Sequence, residues 1–323
     1  MFTLTFLGTS AGVPTKQRNV TALALETGVN RDWWLIDCGE ATWHQLLRVP
    51  LSVQQLAGIC ITHAHGDHTY GLPGLLASAA MSGRTRPLIL AAPAAVRAWL
   101  EATIRHTELF LSFPLIHVDV AAARQVHRET GLYIERFGLS HRSPSVAFRF
   151  SMERSRWTLD TAALLAAGIA PGHVWGKLAA GNNVDLPDGR PLLASEWRRE
   201  QRQQAAVVIG GDNDTPSLLA EACAGAQLLV HEATYTEAQL QKAGPGPTHS
   251  SARRVAQFAA QAALPNLILT HFSARYHHPA GMAELAREAR QCYAGQLWMA
   301  QDLVSYTLDP DGVVRPMAAP ALD

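Results

Sequence analysis

The sequence predicts an α/β fold in which short buried strands alternate with helices. Apolar runs of a few residues, rich in Val, Ile and Leu, are typical of strands that are buried on both faces. Five such runs, each followed directly by a histidine or an acid, span residues 58–62, 132–140, 206–211, 228–230 and 267–270. Because functional sites in open α/β sheets form at the carboxyl ends of strands, these five endings predict one shared site.

Helices are predicted between the strands, at residues 43–48, 74–81, 94–104, 217–222, 251–263 and 280–293. One stretch does not alternate in this way. Between a strand expected to end near Phe150 and another expected to begin near Ala206 lie about fifty residues, far more than an ordinary connection. We therefore expect a single domain over residues 1–323 that carries an insertion at residues 151–204.

The segment from Thr62 to His68 is the most informative motif, with His63, His65, Asp67 and His68 within six residues. A packed core would desolvate these groups at high cost, whereas imidazole and carboxylate are ordinary ligands of zinc and related divalent ions. His63 and His65 alternate like side chains on one face of an extended segment, while Asp67 and His68 are adjacent and point differently. The motif predicts two metal ions; the alternative is a solvated polar loop.

Composition and charge limit the compartment and the partners. The chain is 48% hydrophobic, with no apolar run near the ~18 residues of a membrane span and no pattern of a signal peptide. Four scattered cysteines without a C-x-x-C pair favour reduced thiols in the cytoplasm. The net charge is zero and lysine is rare, so binding of a polyanion must depend on local arginine side chains.

Several further stretches carry a resemblance to a known family. They are residues 6–14 with 18–19, 37–42, 62–68 with 70–75, 231–235, 249–251 and 269–276. Through them the chain resembles, over essentially its whole length, the ribonuclease Z family of transfer-RNA 3′-processing endonucleases within the metallo-β-lactamase superfamily. The His-x-His-x-Asp-His motif alone is shared across the superfamily, and the last three stretches narrow the resemblance to ribonuclease Z.

The resemblance implies a four-layer αββα metallo-β-lactamase sandwich, in which residues 151–204 form a protruding exosite arm that binds tRNA. It also implies a precursor tRNA substrate, a homodimer and two zinc ions per chain. The implied ligands are His63, His65 and His141 for one ion, Asp67, His68 and His271 for the other, and Asp212 as a bridge. Two such ions would lower the pKa of bound water and stabilise a phosphoryl group under attack.

The resemblance assigns roles to further residues. Asp67 would accept a proton from water, and His249 held by Glu232 would protonate the leaving 3′-oxygen. Arg275 is expected to contact phosphate. The expected RNA contacts of the arm are Lys177, Gly172 and Gly176. Seven Lys or Arg against six acids give the arm a net charge of only +1, so its electrostatic grip is expected to be weak.

Two alternatives remain open at this level. One is a general zinc phosphodiesterase or 3′-exoribonuclease that uses the same site with a looser choice of substrate, which the weakly charged arm favours. The other is an RNA-binding member with a dead site, which is disfavoured because all seven ligand positions are filled. His231 is expected to be structural, and isolated histidines such as His44 and His127 are expected to fill the surface or core.

Overall fold

The structure is a computed structural model, and it describes residues 2–28, 30–129 and 131–317 without the side chains of residues 154–156 and 201–203. The strands of these ranges are β1 (Phe2–Gly8), β2 (Ser10–Ala11), β3 (Ala22–Glu26), β4 (Trp33–Ile36), β5 (Leu56–Cys60), β6 (Leu88–Ala92), β7 (Leu115–Asp119), β8 (Gln125–Glu129), β9 (Leu132–Leu139), β10 (Ser145–Leu159), β11 (Val184–Asp185), β12 (Pro191–Leu192), β13 (Arg198–Gly210), β14 (Leu228–Glu232), β15 (Asn266–Thr270), β16 (Phe272–Ser273), β17 (Gln296–Met299), β18 (Ser305–Leu308) and β19 (Val314–Met317).

The helices are short to medium in length. They are α1 (Thr42–Leu46), α2 (Gly66–Thr69), α3 (Leu72–Met81), α4 (Ala94–His106), α5 (Thr161–Ala166), α6 (His173–Ala179), α7 (Ala194–Trp197), α8 (Ala220–Cys223), α9 (Glu237–Ala243), α10 (Ala252–Gln261) and α11 (Pro279–Arg290). Within the described ranges, no helix is both long and apolar enough to span a bilayer.

Two sheets form the centre of the larger of two compact units, which comprises residues 1–151 and 206–323. One has the strand order β19-β18-β1-β3-β4-β5-β6-β7, and the other has the order β17-β15-β14-β13-β10-β9-β8. Trp34 in the first sheet lies 6.2 Å from Phe150 in the second, ring centroid to ring centroid, so the sheets face one another. Helices α1, α3 and α4 pack on the first sheet and α8, α10 and α11 on the second. This arrangement confirms the αββα sandwich.

Burial on both faces explains why the strands could be read from the sequence. Every residue of β4, β14 and β15 is buried. A strand that is covered on one face by a helix and on the other by a second sheet needs apolar side chains throughout, so it reads as a continuous apolar run. The five predicted strands correspond to β5, β9, β13, β14 and β15, with ends that differ by a few residues except at the start of β13.

The expected ends of the two strands that flank the insertion were wrong. β10 does not end near Phe150 but continues to Leu159, and β13 begins at Arg198 rather than near Ala206. These two strands are neighbours in the sheet order. Each extension gives the other a hydrogen-bonding partner, so neither needs an apolar run to form a strand. Because both extensions are rich in charged residues, the sequence did not indicate strands there.

The second compact unit comprises residues 152–205. It contains α5, α6, α7 and the β11–β12 pair. Its small core consists of Leu164, Ile169, Leu178, Val184, Leu192 and Ala194. The segment of residues 160–197 begins and ends at neighbouring positions, because the backbone N–H of Asp160 donates to the carbonyl of Trp197 at 2.8 Å.

Candidate metal centre and active site

One group of potential metal ligands surrounds a point at the edge of the two sheets. His63 and His65 follow β5, His141 follows β9 and Asp212 follows β13. The separations are 3.0 Å between His63 Nε2 and His65 Nδ1, 3.2 Å between His141 Nε2 and His65 Nδ1, 3.5 Å between His63 Nε2 and Asp212 Oδ2, and 3.7 Å between His141 Nε2 and Asp212 Oδ2. Ligands of a tetrahedral zinc ion with bonds of about 2.0–2.1 Å lie about 3.4 Å apart, which these distances match.

A second group lies beside the first and shares Asp212 with it. His68 Nε2 lies 3.3 Å from His271 Nε2, and both nitrogens lie 3.5 Å from Asp67 Oδ2. Asp212 Oδ1 is 3.5 Å from His68 Nε2 and 3.4 Å from His271 Nε2. One oxygen of Asp212 therefore faces each group, as a bridging carboxylate requires.

The outer ring nitrogens of four of these histidines have partners in the protein, which leaves the inner nitrogens to face the two groups. His68 Nδ1 lies 2.7 Å from Asp37 Oδ2, and His141 Nδ1 lies 2.8 Å from the Thr248 carbonyl. The other two contact threonine hydroxyls: His63 Nδ1 lies 3.0 Å from Thr62 Oγ1, and His271 Nδ1 lies 3.0 Å from Thr234 Oγ1. Thr62 and Thr234 each give their own hydroxyl proton to a carboxylate, so they accept from these rings. Imidazoles that are held through Nδ1 in this way direct Nε2 inward, where it can bind a metal ion.

The electrostatics of the cluster also favour a cation. Burial lowers the pKa of His63 to about 2, with a further contribution from the neighbouring imidazoles. Burial would raise the pKa of Asp212, but His271, His68 and His63 hold it well below its usual value. For His68, burial opposes protonation, yet Asp212, Asp37 and Asp67 raise its pKa. A site that stabilises a proton in this way will also stabilise a metal ion, and the donor set fits one.

Asp37 supports this centre from the end of β4. It accepts from the Thr62 backbone N–H at 2.7 Å, from Thr62 Oγ1 at 2.8 Å and from His68 Nδ1 at 2.7 Å. No role was predicted for Asp37 from the sequence. The signal was nevertheless present, since Asp37 directly follows the buried strand β4, as His271 follows β15.

Glu232 occupies a similar position at the end of β14. Its Oε2 accepts from Thr234 Oγ1 at 2.5 Å, and its Oε1 accepts from His249 Nδ1 at 3.0 Å. The backbone N–H groups of Asn213 and Ser250 also donate to Oε1. Burial would raise the pKa of Glu232, but His249 lowers it. Burial likewise opposes the charge on His249, while the charge of Glu232 and their hydrogen bond raise its pKa to about 9.

The pocket over the two groups has a volume of about 770 Å³. Its walls include His65, Asp67, His141, Asp212, His249 and His271, together with Gly12, Tyr70, Arg142 and Tyr235. The Gly12 N–H donates to Asp67 Oδ2 at 2.8 Å, and Gly12 has a φ of +71°, which favours glycine. His249 lies close enough to Asp212 and His271 to join a ligand set, but its Nδ1 is held by Glu232.

Of the residues expected to bind substrate, Arg275 lies outside the lining of this pocket. It donates to Ser273 Oγ at 3.2 Å, and its guanidinium lies 5.6 Å from the ring centroid of Tyr235. Gly172, Gly176 and Lys177 are exposed in or next to α6 of the second unit. A Cβ added at either glycine would meet no neighbour, so packing does not require glycine there.

Other histidines have structural partners. His231 is buried, donates through Nδ1 to the Glu232 carbonyl and accepts from Asn213 through Nε2, away from the ligand groups. His277 Nε2 donates to the Phe272 carbonyl, and His278 caps the start of α11. His127 packs against Trp34.

Two facing sheets with outer helices and a His/Asp centre at one edge define a metal-dependent hydrolase of the metallo-β-lactamase class. A metallo-β-lactamase fold protein from Bacillus subtilis is similar in fold, with a TM-score of 0.63 and 17% identity over 98% of this chain and 99% of its own. The ribonuclease Z of Marinobacter nauticus is 47% identical over 311 residues, which are 95% of this chain and 96% of that relative. The chain therefore belongs to the ribonuclease Z family, and it is an endoribonuclease.

Two further comparisons match this chain, one over nearly its whole length and one over part of it. The structure of human tRNase Z, short form, matches with a TM-score of 0.63 and 25% identity over 95% of this chain and 99% of its own. A profile of the family described as anti-Pycsar protein Apyc1 matches residues 2–151. That match covers less than half of the chain and ends before Asp212, Glu232 and His249.

Proposed function

We propose that the protein removes the 3′ trailer of precursor tRNA by hydrolysing one phosphodiester bond, leaving a 3′-hydroxyl on the tRNA. The observation that carries the proposal is the Glu232–His249 pair beside seven converging ligands. A sugar 3′-oxygen is a poor leaving group unless it receives a proton, and a charged imidazole supplies one. Similarity to ribonuclease Z from Marinobacter nauticus and to human tRNase Z supports this choice of substrate.

The centre is proposed to hold two zinc ions. His63, His65 and His141 would bind one, Asp67, His68 and His271 the other, and Asp212 both. Bound zinc supplies Lewis acidity, which lowers the pKa of a water molecule and neutralises charge that develops on the phosphoryl group. The chain itself fixes the geometry, because Asp37, Thr62, Thr234 and Thr248 hold the outer nitrogens of four of these histidines.

Proton transfer is divided between two sides of the pocket. Asp67 accepts a proton from the attacking water, and the Gly12 N–H orients this carboxylate. His249 gives its proton to the leaving 3′-oxygen, and Glu232 keeps the ring charged until then. Glu232 thus determines which of the two groups acts as the acid. This buried carboxylate stabilises a proton on His249, beside the leaving group, and not on Asp67, the base.

The unit of residues 152–205 is proposed to be the exosite arm. Lys177 and the exposed backbone of Gly172 and Gly176 would contact RNA away from the cut, and Arg275 would contact phosphate near the pocket. Because the arm is nearly neutral, shape and backbone amides contribute more than counterion release. We further propose a homodimer, as the family resemblance implies, and a cytoplasmic location, where the substrate is made.

The test is incubation of the zinc-loaded protein with a precursor tRNA that carries a 3′ trailer, followed by mapping of the cut. A single cut at the tRNA end, with a 3′-hydroxyl on the tRNA and an intact trailer released, supports the proposal. A ladder of shortened trailers, or cleavage of any RNA end, would favour the looser phosphodiesterase, which the low charge of the arm keeps as the second candidate.

A further inference from the structure

The mouth of the pocket carries a cation that the metal centre and the acid pair leave unused. Arg142 lines the pocket and is exposed. Among the described residues that line this pocket, it is the one arginine or lysine side chain. Within the described part of the chain, its guanidinium has no hydrogen-bonding or carboxylate partner; only its backbone is bonded.

The backbone of Arg142 is fixed beside a metal ligand. Its N–H donates to Thr248 Oγ1 at 3.1 Å, and the preceding His141 donates to the Thr248 carbonyl at 2.8 Å. Thr248 has a φ of +53°, a conformation that β-branched residues rarely adopt. Such strain persists only where surrounding contacts impose it. The side chain of Arg142 therefore starts from a defined point next to the reacting centre.

Two other arginines, Arg18 and Arg275, already have partners within the protein. Arg18 donates to Thr9 Oγ1 and to the Ala300 carbonyl, and its guanidinium lies over the ring of Phe272. Arg275 donates to Ser273 and lies over Tyr235. Arg142 differs from both because all of its side-chain donors remain available at the opening of the pocket.

A guanidinium matches two oxygens of a phosphate group, and the ligand groups already provide for the phosphate that is cut. An RNA chain presents another phosphate one nucleotide away, whereas a small phosphodiester has none. We propose that Arg142 binds the non-bridging oxygens of a phosphate adjacent to the scissile one, and so selects a nucleic-acid chain over a small phosphodiester. The inference rests on the proposed function, which supplies the RNA substrate.

The first experiment compares the zinc-loaded wild type with Arg142→Ala, Arg142→Lys and the control Arg105→Ala. Arg105 is an exposed cation of α4 that does not line the pocket. On precursor tRNA, Arg142→Ala should raise KM about tenfold with little change in kcat, the effect of one lost charge-assisted contact, and Arg142→Lys should recover part of it. Hydrolysis of bis(p-nitrophenyl) phosphate should stay within about twofold in all variants.

A second readout does not depend on activity. Binding of a single-stranded RNA oligonucleotide is measured in EDTA at several salt concentrations. The slope of log K against log salt should be smaller by about 0.7 in Arg142→Ala, the value for one phosphate contact on a single strand, and unchanged in Arg105→Ala. An unchanged slope and an unchanged KM in Arg142→Ala would overturn the proposal. Equal losses on tRNA and on the small ester would also overturn it, since Arg142 would then act on the metal centre.

The partner phosphate can be located with RNA that carries one neutral methylphosphonate next to the cut. The wild type should lose about tenfold on the substrate modified at the correct phosphate, and Arg142→Ala should lose nothing more. Additive losses at both neighbouring phosphates would contradict the contact. If the wild type hydrolyses the small ester but does not cut precursor tRNA, the proposed function fails, while the EDTA binding series still decides whether Arg142 contacts RNA phosphate.

Discussion

Two buried carboxylates, one in each sheet, support the metal centre in a similar way but with different second partners. Asp37 at the end of β4 accepts from Thr62, which accepts from His63. Glu232 at the end of β14 accepts from Thr234, which accepts from His271. In both cases the acid orients a threonine hydroxyl, and this hydroxyl orients a histidine whose Nε2 faces the groups of potential metal ligands.

The difference lies in the remaining hydrogen bond of each acid. Asp37 accepts from His68, another proposed ligand, so all of its histidine contacts serve the metal. Glu232 accepts from His249, which lies outside the proposed ligand set and lines the pocket. The same arrangement therefore orients proposed metal ligands beside both sheets, and beside the second sheet it also raises the pKa of His249, the proposed proton donor.

Replacement of Asp212, which faces both ligand groups, should give the largest loss of activity. Asp212→Ala removes the carboxylate that faces both ligand groups, so at least one zinc should be lost. Activity should fall at least about 10⁴-fold, because the metal centre supplies several kcal/mol of transition-state stabilisation. Metal analysis of the purified protein should give close to two zinc ions per chain for the wild type and fewer for the variant. One tightly bound ion in both proteins would be inconsistent with the bridged centre.

Removal of His249, the proposed general acid, should affect the two substrates differently and so distinguish the Glu232 network from the Asp37 network. His249→Ala should slow cleavage of precursor tRNA by on the order of 10²–10⁴, the usual contribution of general acid catalysis. A nitrophenolate leaving group needs no proton, so hydrolysis of bis(p-nitrophenyl) phosphate should be affected much less. Similar losses on both substrates would indicate that His249 holds a metal or supports the fold.

The proposed role of the second compact unit is separate from the roles of both acids, so its removal makes a contrasting test. Because Asp160 and Trp197 are hydrogen-bonded, a short Gly-Ser turn can replace residues 160–197 and join β10 to β13. Cleavage of precursor tRNA should fall by about 10²-fold through lost positioning, while small-ester hydrolysis stays within a few-fold. A shortened protein that keeps its zinc and cuts tRNA at the full rate would exclude the exosite role.

The smallest effect is expected from Asp37→Asn. This change leaves the shape intact but weakens the orientation of His63 and His68, and loss of such outer contacts costs about 10- to 100-fold in metal affinity. Zinc titration after chelation should show the weaker binding, and excess zinc should restore activity on both substrates. A deficit on RNA alone that persists in excess zinc would mean that Asp37 also takes part in proton transfer.

The sheets and the clustering of the candidate ligand histidines were predictable because both depend on local sequence. β14 and β15 are buried throughout, so their apolar runs stand out, and His231–Glu232 and His271 occupy their carboxyl ends. The supporting contacts depend instead on residues that are distant in sequence. Thr248 bonds His141 across 107 positions and Gly12 bonds Asp67 across 55, and no local pattern indicates such pairs.

The second unit was harder to predict for a different reason. Its helices α5, α6 and α7 have 6, 7 and 4 residues, too short for a clear helical periodicity. The extensions of β10 and β13 are stabilised by pairing with one another rather than by an apolar pattern. Position within the chain therefore indicated an insertion, while composition could not indicate its elements.

The most direct test of the division between the two acids compares Asp37→Asn with Glu232→Gln at saturating zinc, on precursor tRNA and on bis(p-nitrophenyl) phosphate. Asp37→Asn should approach wild-type rates on both substrates. Glu232→Gln should remain slower on tRNA by on the order of 10², because His249 loses the charge that keeps it protonated, and should be nearly normal on the small ester. Recovery of both variants on both substrates, or equal losses of Glu232→Gln on the two substrates, would contradict the separate role of Glu232.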